Sequence, residues 1–226
     1  QFGSGAGLYL DSTLVTATPL SITAWAYPTT DSAQIVMASV GDTAADTDYF
    51  DLRFQGNVAG DPVQARTTAS GAANQAATST ALILNAWQQA TAVFASATSR
   101  AAYLNGGGKG TNATSRTPAS LDRIGVGYRA TLSGGFNFAG ILSDVRIYNR
   151  ILSDSEVWSL WDPTTRWELF EPMRRLWAIS GVTTLPVAAS LAGRSDHPVS
   201  MAVASAARAE GIAPLDVQDF AALPGY

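Results

Sequence analysis

The sequence predicts an all-β fold, a sandwich or barrel of short antiparallel strands, and three observations carry that expectation. Apolar and polar residues alternate with period two in several short runs, as in half-buried strands. Gly, Asn, Asp and Pro recur between these runs as turn signals. The 226 residues are rich in glycine and small or β-branched types, with only 14% charged, which suits strands joined by tight turns.

The first clear strand is Ser21–Tyr27. Ile22, Ala24 and Ala26 face one way, Thr23, Trp25 and Tyr27 the other, and Pro28 stops it. Gln34–Val40 is apolar and β-prone. Tyr49–Gln55 alternates again, with Phe50, Leu52 and Phe54 on one face and Asp51 and Arg53 on the other. Trp87–Phe94 and Arg100–Leu104 follow across a short polar turn. Asn105-Gly106, a strong hairpin signal, opens a glycine cluster. Ile124–Tyr128 and Phe138–Tyr148 complete the set. One helix is expected: Ser153 can N-cap it, Glu156 completes a capping box, Val157, Leu160 and Trp161 fall at helical spacing, and Pro163 ends it.

Beyond residue 161 the composition changes. Residues 162–180 are dense in tryptophan and arginine and read as a strap packed on the sandwich. Residues 181–226 are Ala-rich, with Pro186, Pro198 and Pro214 each followed by an aliphatic residue. These pieces are too short to bury a core alone, so they read as an extended tail for assembly or linkage. Ser200–Arg208 is the one stretch that suits a brief helix.

Three segments resemble the laminin-G-like (concanavalin A-like) family. They are Leu20-Ser-Ile-Thr-Ala-Trp-Ala-Tyr-Pro28, then Trp87-Gln-Gln-Ala-Thr-Ala-Val-Phe94 with Ala102-Tyr-Leu-Asn-Gly106, and the most specific, Phe138-Ala-Gly-Ile-Leu-Ser-Asp-Val-Arg-Ile-Tyr-Asn-Arg150 running on to Glu156. Their order and spacing agree with the family's over residues 1–161. The resemblance implies a two-sheet antiparallel jelly-roll sandwich, and glycan binding, adhesion or protein–protein contact as its activity. Within it, Trp25 and Trp87 read as core or sheet-face aromatics, Gly140 as a point of close chain approach, and Asp144 as an acceptor from backbone or arginine. The tryptophan–arginine strap and the proline repeats also resemble, more loosely, laminin-G-like proteins of tailed bacteriophages.

Composition excludes several chemistries. A net charge of −4 gives no electrostatic reason to expect nucleic acid. With no cysteine there are no disulfides or thiolate metal sites. No apolar run approaches the ~20 residues of a membrane helix, and no signal peptide is expected. A start at Gln1 fits a processed product or a fragment. Glycoside hydrolysis needs two carboxylates across the scissile bond, yet Glu156, Glu168, Glu171 and Glu210 all fall outside the expected strands. Asp48 and Asp51, three apart, fall on opposite faces. The single histidine, His197, lies in the tail, so a serine triad would have to bridge tail and sandwich. Gly125-Val-Gly127 precedes no helix and reads as a strand end rather than a dinucleotide loop. The sequence therefore reads as non-catalytic.

A metal is the more serious option. Asp42, Asp46 and Asp48 crowd one loop, as calcium sites do. Asp46 and Asp48 are the first candidates, with Asp11 and Asp144 outside them and ordinary turn roles as the alternative. For a glycan, stacking rings and planar polar groups are needed, and Tyr49, Arg53, Tyr128, Arg129 and Asn137 are the candidates, with packing roles as the alternative for each. The reading that results is a surface-displayed binding module in a phage virion or outside the cell. It binds glycans or neighbouring subunits, is a homo-oligomer or part of a larger assembly, and neither binds nucleic acid nor inserts in a membrane. The alternatives are a free-standing secreted carbohydrate-binding or adhesion module and, after it, a jelly-roll glycosidase.

Overall fold

The computed structural model describes residues 7–13, 15–31, 33–166 and, near the C-terminus, 204–205, 207–209, 211 and 213. The chain forms two compact units, residues 1–170 and 171–226. In the second, residues 204–205 and 207–209 are helical, with Ala204 and Ala207 buried. They fall in the stretch for which a brief helix is expected. The strap from residue 167 onward, His197 and the rest of the tail lie outside the described residues.

The first unit is the expected two-sheet sandwich. Its elements in chain order are β1 (Leu8–Leu10), β2 (Leu20–Pro28), β3 (Gln34–Gly41), β4 (Tyr49–Gln55), β5 (Pro62–Ala69), β6 (Ala72–Ala81), β7 (Gln88–Ser96), β8 (Ser99–Leu104), β9 (Gly107–Asn112), β10 (Arg123–Val126), β11 (Gly140–Tyr148) and α1 (Asp154–Trp161). The large sheet has six strands in the order β1-β10-β3-β4-β5-β6, and the small sheet has five in the order β11-β2-β7-β8-β9. All described pairings are antiparallel.

Alternation places one residue set of each strand between the sheets. Ile22, Ala24 and Ala26 of β2, Phe50, Leu52 and Phe54 of β4, Val63 and Ala65 of β5, and Ala90, Ala92 and Phe94 of β7 form one buried core. Phe50 and Phe94 meet across it with ring centroids 4.9 Å apart. Each such large side chain contributes about 1.5–3 kcal/mol on burial. A bulge in β3 between Val36 and Ala38 turns Met37 and Ala38 both inward.

The helix packs on the outer face of the small sheet, where Leu152, Val157 and Leu160 meet Val93, Ala101 and Tyr103. Its start is the expected capping box: the Ser153 hydroxyl accepts from the Glu156 amide, and the Ser153 amide donates to Glu156 Oε2 at 2.8 Å. Asp162 caps its end, one residue before Pro163. No described helix is long and apolar enough to cross a membrane.

Candidate functional site

The outer face of the large sheet is lined by polar side chains. Register sets them in rows: Ser39, Asp51, Arg66 and Gln75 in one, Val36, Arg53 and Gln64 in the next, and Tyr49 and Thr68 beyond. An exposed sheet face is ordinarily wet, yet here Asp51 and Arg53 are 0% and 1% exposed. The cover is the loop from Gly127 to Phe138, which folds back over β3. Ser39 Oγ donates to the Tyr128 carbonyl and accepts from the Ala130 amide, and the amide freed at the β3 bulge, that of Val36, donates to the Phe136 carbonyl at 2.7 Å.

Beneath this loop Arg53 is held on three sides. Its guanidinium grips both oxygens of Asp51 in a two-pronged ion pair and donates from Nη1 to Gln34 Oε1 at 2.6 Å. Burial alone would push the guanidinium down, but the adjoining Asp51 carboxylate more than offsets it and holds the proton more firmly than usual. The Phe136 ring, 40% exposed, lies above, its centroid 5.5 Å from the Arg53 guanidinium and 4.7 Å from that of Arg129. Arg129 also covers Tyr49 at 5.2 Å. Phe136 has φ of +54°, a left-handed conformation that a bulky residue adopts only when its surroundings impose it.

The covering loop is tied down by Asp46. Its carboxylate accepts from the Thr131 and Ser133 hydroxyls at 2.6 Å each and from the Ser133 amide at 3.0 Å. Chiefly these hydroxyl bonds, with help from Arg129, lower its pKa to about 2. Asp48 accepts from the Ala119 amide at 3.1 Å and the Thr47 hydroxyl at 2.8 Å. Asp42 Oδ1 accepts from Ala44, Asp11 pairs with Arg123, and Asp144 forks onto Arg146 at 2.7 Å twice. Among the described residues, no three acidic or histidine side chains converge as a metal site requires. Asp46 and Asp48 each accept hydrogen bonds from protein donors in this structure.

Three of the five glycan candidates, Tyr49, Arg53 and Arg129, come together around Phe136. Tyr128 lies over the β1–β10 edge instead, 6.3 Å from the Tyr9 ring and against Gly125. Asn137 is half-buried in the covering loop. Sequence reasoning missed Phe136, which precedes a strand, and Gln64 and Arg66, which belong to an unrecognised strand. Gln64 is 6% exposed, and its Oε1 meets no donor among the described residues. A buried acceptor left open in this way is an unmet hydrogen bond, and it lies beside a partly exposed arginine, Arg66. The arrangement offers a ring to stack on and planar polar groups at fixed positions. It offers no nucleophile–base pair and no opposed carboxylates, since Asp51 is tied up by Arg53.

Comparison with known proteins agrees with the architecture. Residues 2–158 match the Laminin_G_3 family model, the concanavalin A-like lectin/glucanases superfamily. No curated protein matches the sequence. Among solved structures, domain 4 of AbnA, an extracellular arabinanase from Geobacillus stearothermophilus solved with arabinotriose, is similar at TM-score 0.58 and 18% identity, covering 69% of this chain and 72% of that one. A pentraxin from Limulus polyphemus is similar at TM-score 0.56 and 16% identity, covering 69% and 75%. The CBM40 domain of the Ruminococcus gnavus IT-sialidase, bound to α2,3 sialyllactose, is similar at TM-score 0.53 and 14% identity, covering 65% and 84%. At these identities the likeness is one of fold.

Proposed function

This chain belongs to the concanavalin A-like lectin/glucanases superfamily, and from that premise we propose that it is a non-catalytic glycan-binding module. The glycan lies on the outer face of the large sheet, stacked on Phe136, with Arg66 and Arg129 meeting its hydroxyls and Gln64 in the floor beneath. The observation that carries this reading is the half-exposed Phe136 ring, held in a left-handed conformation over two arginines on a polar sheet face. Pre-oriented planar groups of this kind lower the entropy lost when a polar ligand is ordered. The Asp51–Arg53–Gln34 network is the rigid floor rather than the contact surface, because Arg53 is closed off from solvent. Relatives of the fold solved with arabinotriose and sialyllactose support a saccharide as ligand, and a place outside the cell follows from such a ligand.

A glycan array probed with the full chain tests this, followed by calorimetry on the strongest ligand with Phe136→Ala, Arg66→Ala and Arg129→Ala. Each substitution is expected to weaken binding several-fold, and the glycan is recovered uncleaved. Retention of no glycan, or affinity indifferent to all three changes, refutes the reading.

A second role, assembly with further copies of itself as on a virion surface, is favoured by one observation. The edge strand β1 presents Leu8, Tyr9 and Leu10 at 64%, 64% and 59% exposure. An apolar strand with a free edge is a ready pairing surface. Light scattering on the full chain, on Tyr9→Lys and on a chain ending at Ser180 decides it: a defined oligomer lost in Tyr9→Lys supports assembly through β1, and monomers throughout exclude it.

A further inference from the structure

The outer face of the small sheet is only partly covered by α1. Register sets Ile141 of β11 opposite Tyr27 of β2, and Ser143 opposite Trp25, which in turn faces Gln89 of β7. At this end the face opens into a cleft of about 330 Å³ lined by Trp25, Trp87, Ser143, Asp144 and Arg166. Trp87, immediately before β7, is 46% exposed. Its ring leans on Tyr27 at a centroid distance of 5.8 Å and 58° between planes. The Arg166 guanidinium covers the Trp25 ring at 5.7 Å.

A bulge supplies the polar side of the cleft. The register of β11 shifts between Ser143 and Arg146, and Asp144 has φ of +48°. In a regular strand Ser143 and Asp144 would point to opposite faces. The bulge turns both into the cleft, re-aiming a carboxylate that would otherwise meet the core. The two 2.7 Å bonds from Arg146 fix the orientation of Asp144. Each of its oxygens retains a second lone pair, and the side chain is 30% exposed.

We infer that this cleft is a second saccharide site, on the face opposite the first and independent of it. The hydrogen-bearing face of a β-linked pyranose ring stacks on Trp87, and Asp144 and Ser143 accept and donate hydrogen bonds to its hydroxyls. The chemistry of the lining selects this class. A purely apolar ligand would bury the Asp144 carboxylate without a donor, which is strongly unfavourable. A proline-rich peptide would stack equally well but brings few N–H donors to that carboxylate. A phosphate-bearing ligand would meet its negative charge. A sugar ring supplies in one unit a flat apolar face and a fan of hydroxyl donors. With a site on each face, one module can bridge two glycan chains, and linked sites raise avidity without any new contact.

The test is isothermal titration of the full chain with cellohexaose, a linear β-linked pyranose chain, up to about 10 mM, at which a Kd of about 1 mM still saturates. Saturable binding is expected in the wild type and in Trp158→Ala, an equally exposed tryptophan outside the cleft. In Trp87→Ala, affinity is expected to fall at least about tenfold, the loss of roughly one stacked ring. In Asp144→Asn a several-fold loss is expected. Thermal melts confirm that the variants are folded; Trp87 is half-exposed, so its removal leaves the core intact. Absence of saturable binding in the wild type, or wild-type affinity in Trp87→Ala, overturns the inference. Loss in Phe136→Ala with Trp87→Ala unaffected assigns the ligand to the large sheet and overturns it too.

Discussion

The ion pair between Asp51 and Arg53 allows a sharp test of how the large sheet's outer face is held. Both side chains are essentially inaccessible, and Gln34 also accepts from the Arg53 guanidinium. Asp51→Ala leaves a guanidinium buried under Phe136 with no counter-charge. Breaking a buried pair from one side costs about 3–5 kcal/mol. In a sandwich of this size that corresponds to a fall in Tm of about 10–15 °C. Replacing both partners with apolar residues, Asp51→Leu with Arg53→Met, removes the uncompensated charge and is expected to cost about 1 kcal/mol or less. Urea unfolding of the wild type, Asp51→Leu, Arg53→Met and the double variant closes the cycle, with Asp51→Ala measured beside it. A cost below about 1 kcal/mol for Asp51→Ala would show that water reaches Arg53 and that the covering loop is open in solution. The proposed glycan site would then have no fixed floor.

Three further outcomes are expected. The lowered pKa of Asp46, about 2 against an ordinary 3.8, means that the folded state binds the proton more weakly than the unfolded chain. The stability it contributes is complete above about pH 5 and is lost as pH falls toward 2. The shift corresponds to roughly 2 kcal/mol, discounted to about 1 because the side chain is 36% exposed; Asp46→Asn should flatten this part of the pH–stability curve, and an unchanged curve contradicts the loop-tying role. A Cβ at Gly110 would sit 1.7 Å from the Ala77 carbonyl oxygen, so Gly110→Ala must part β9 from β6 and is expected to lower stability by about 2–4 kcal/mol in urea unfolding; a neutral variant would show that these sheet edges are not in close contact. Because Asp46 and Asp48 face protein donors, millimolar calcium is expected to leave Tm unchanged, and a saturable rise of several degrees would restore the calcium reading of that loop.

Strands with strong contrast were legible in the sequence. β2, β4 and β7 carry large apolar residues against polar or aromatic ones, and Asp51 and Arg53 fall on one face by parity alone. The helix was legible from Ser153 and Glu156. β5 and β6 were not, because Val63, Ala65, Ala73 and Ala76 offer little contrast with the threonines and glutamines between them. Missing those strands hid Gln64 and Arg66. β1, three exposed residues long, has no alternation to detect.

Local sequence thus determined the sandwich class, the orientation of the best-patterned strands and the helix cap, since period and capping chemistry act between near neighbours. Only the tertiary structure decided what faces what. Arg53 and Asp51 are buried because a loop more than seventy residues further along folds over them. Asp46 is engaged by Thr131 and Ser133, more than eighty residues away in the chain. Trp87 and Asp144 share a cleft because β11 pairs with β2 through a bulge. Each of these depends on contacts between residues far apart in the chain, and pattern within a single strand carries no information about which distant segment will cover it.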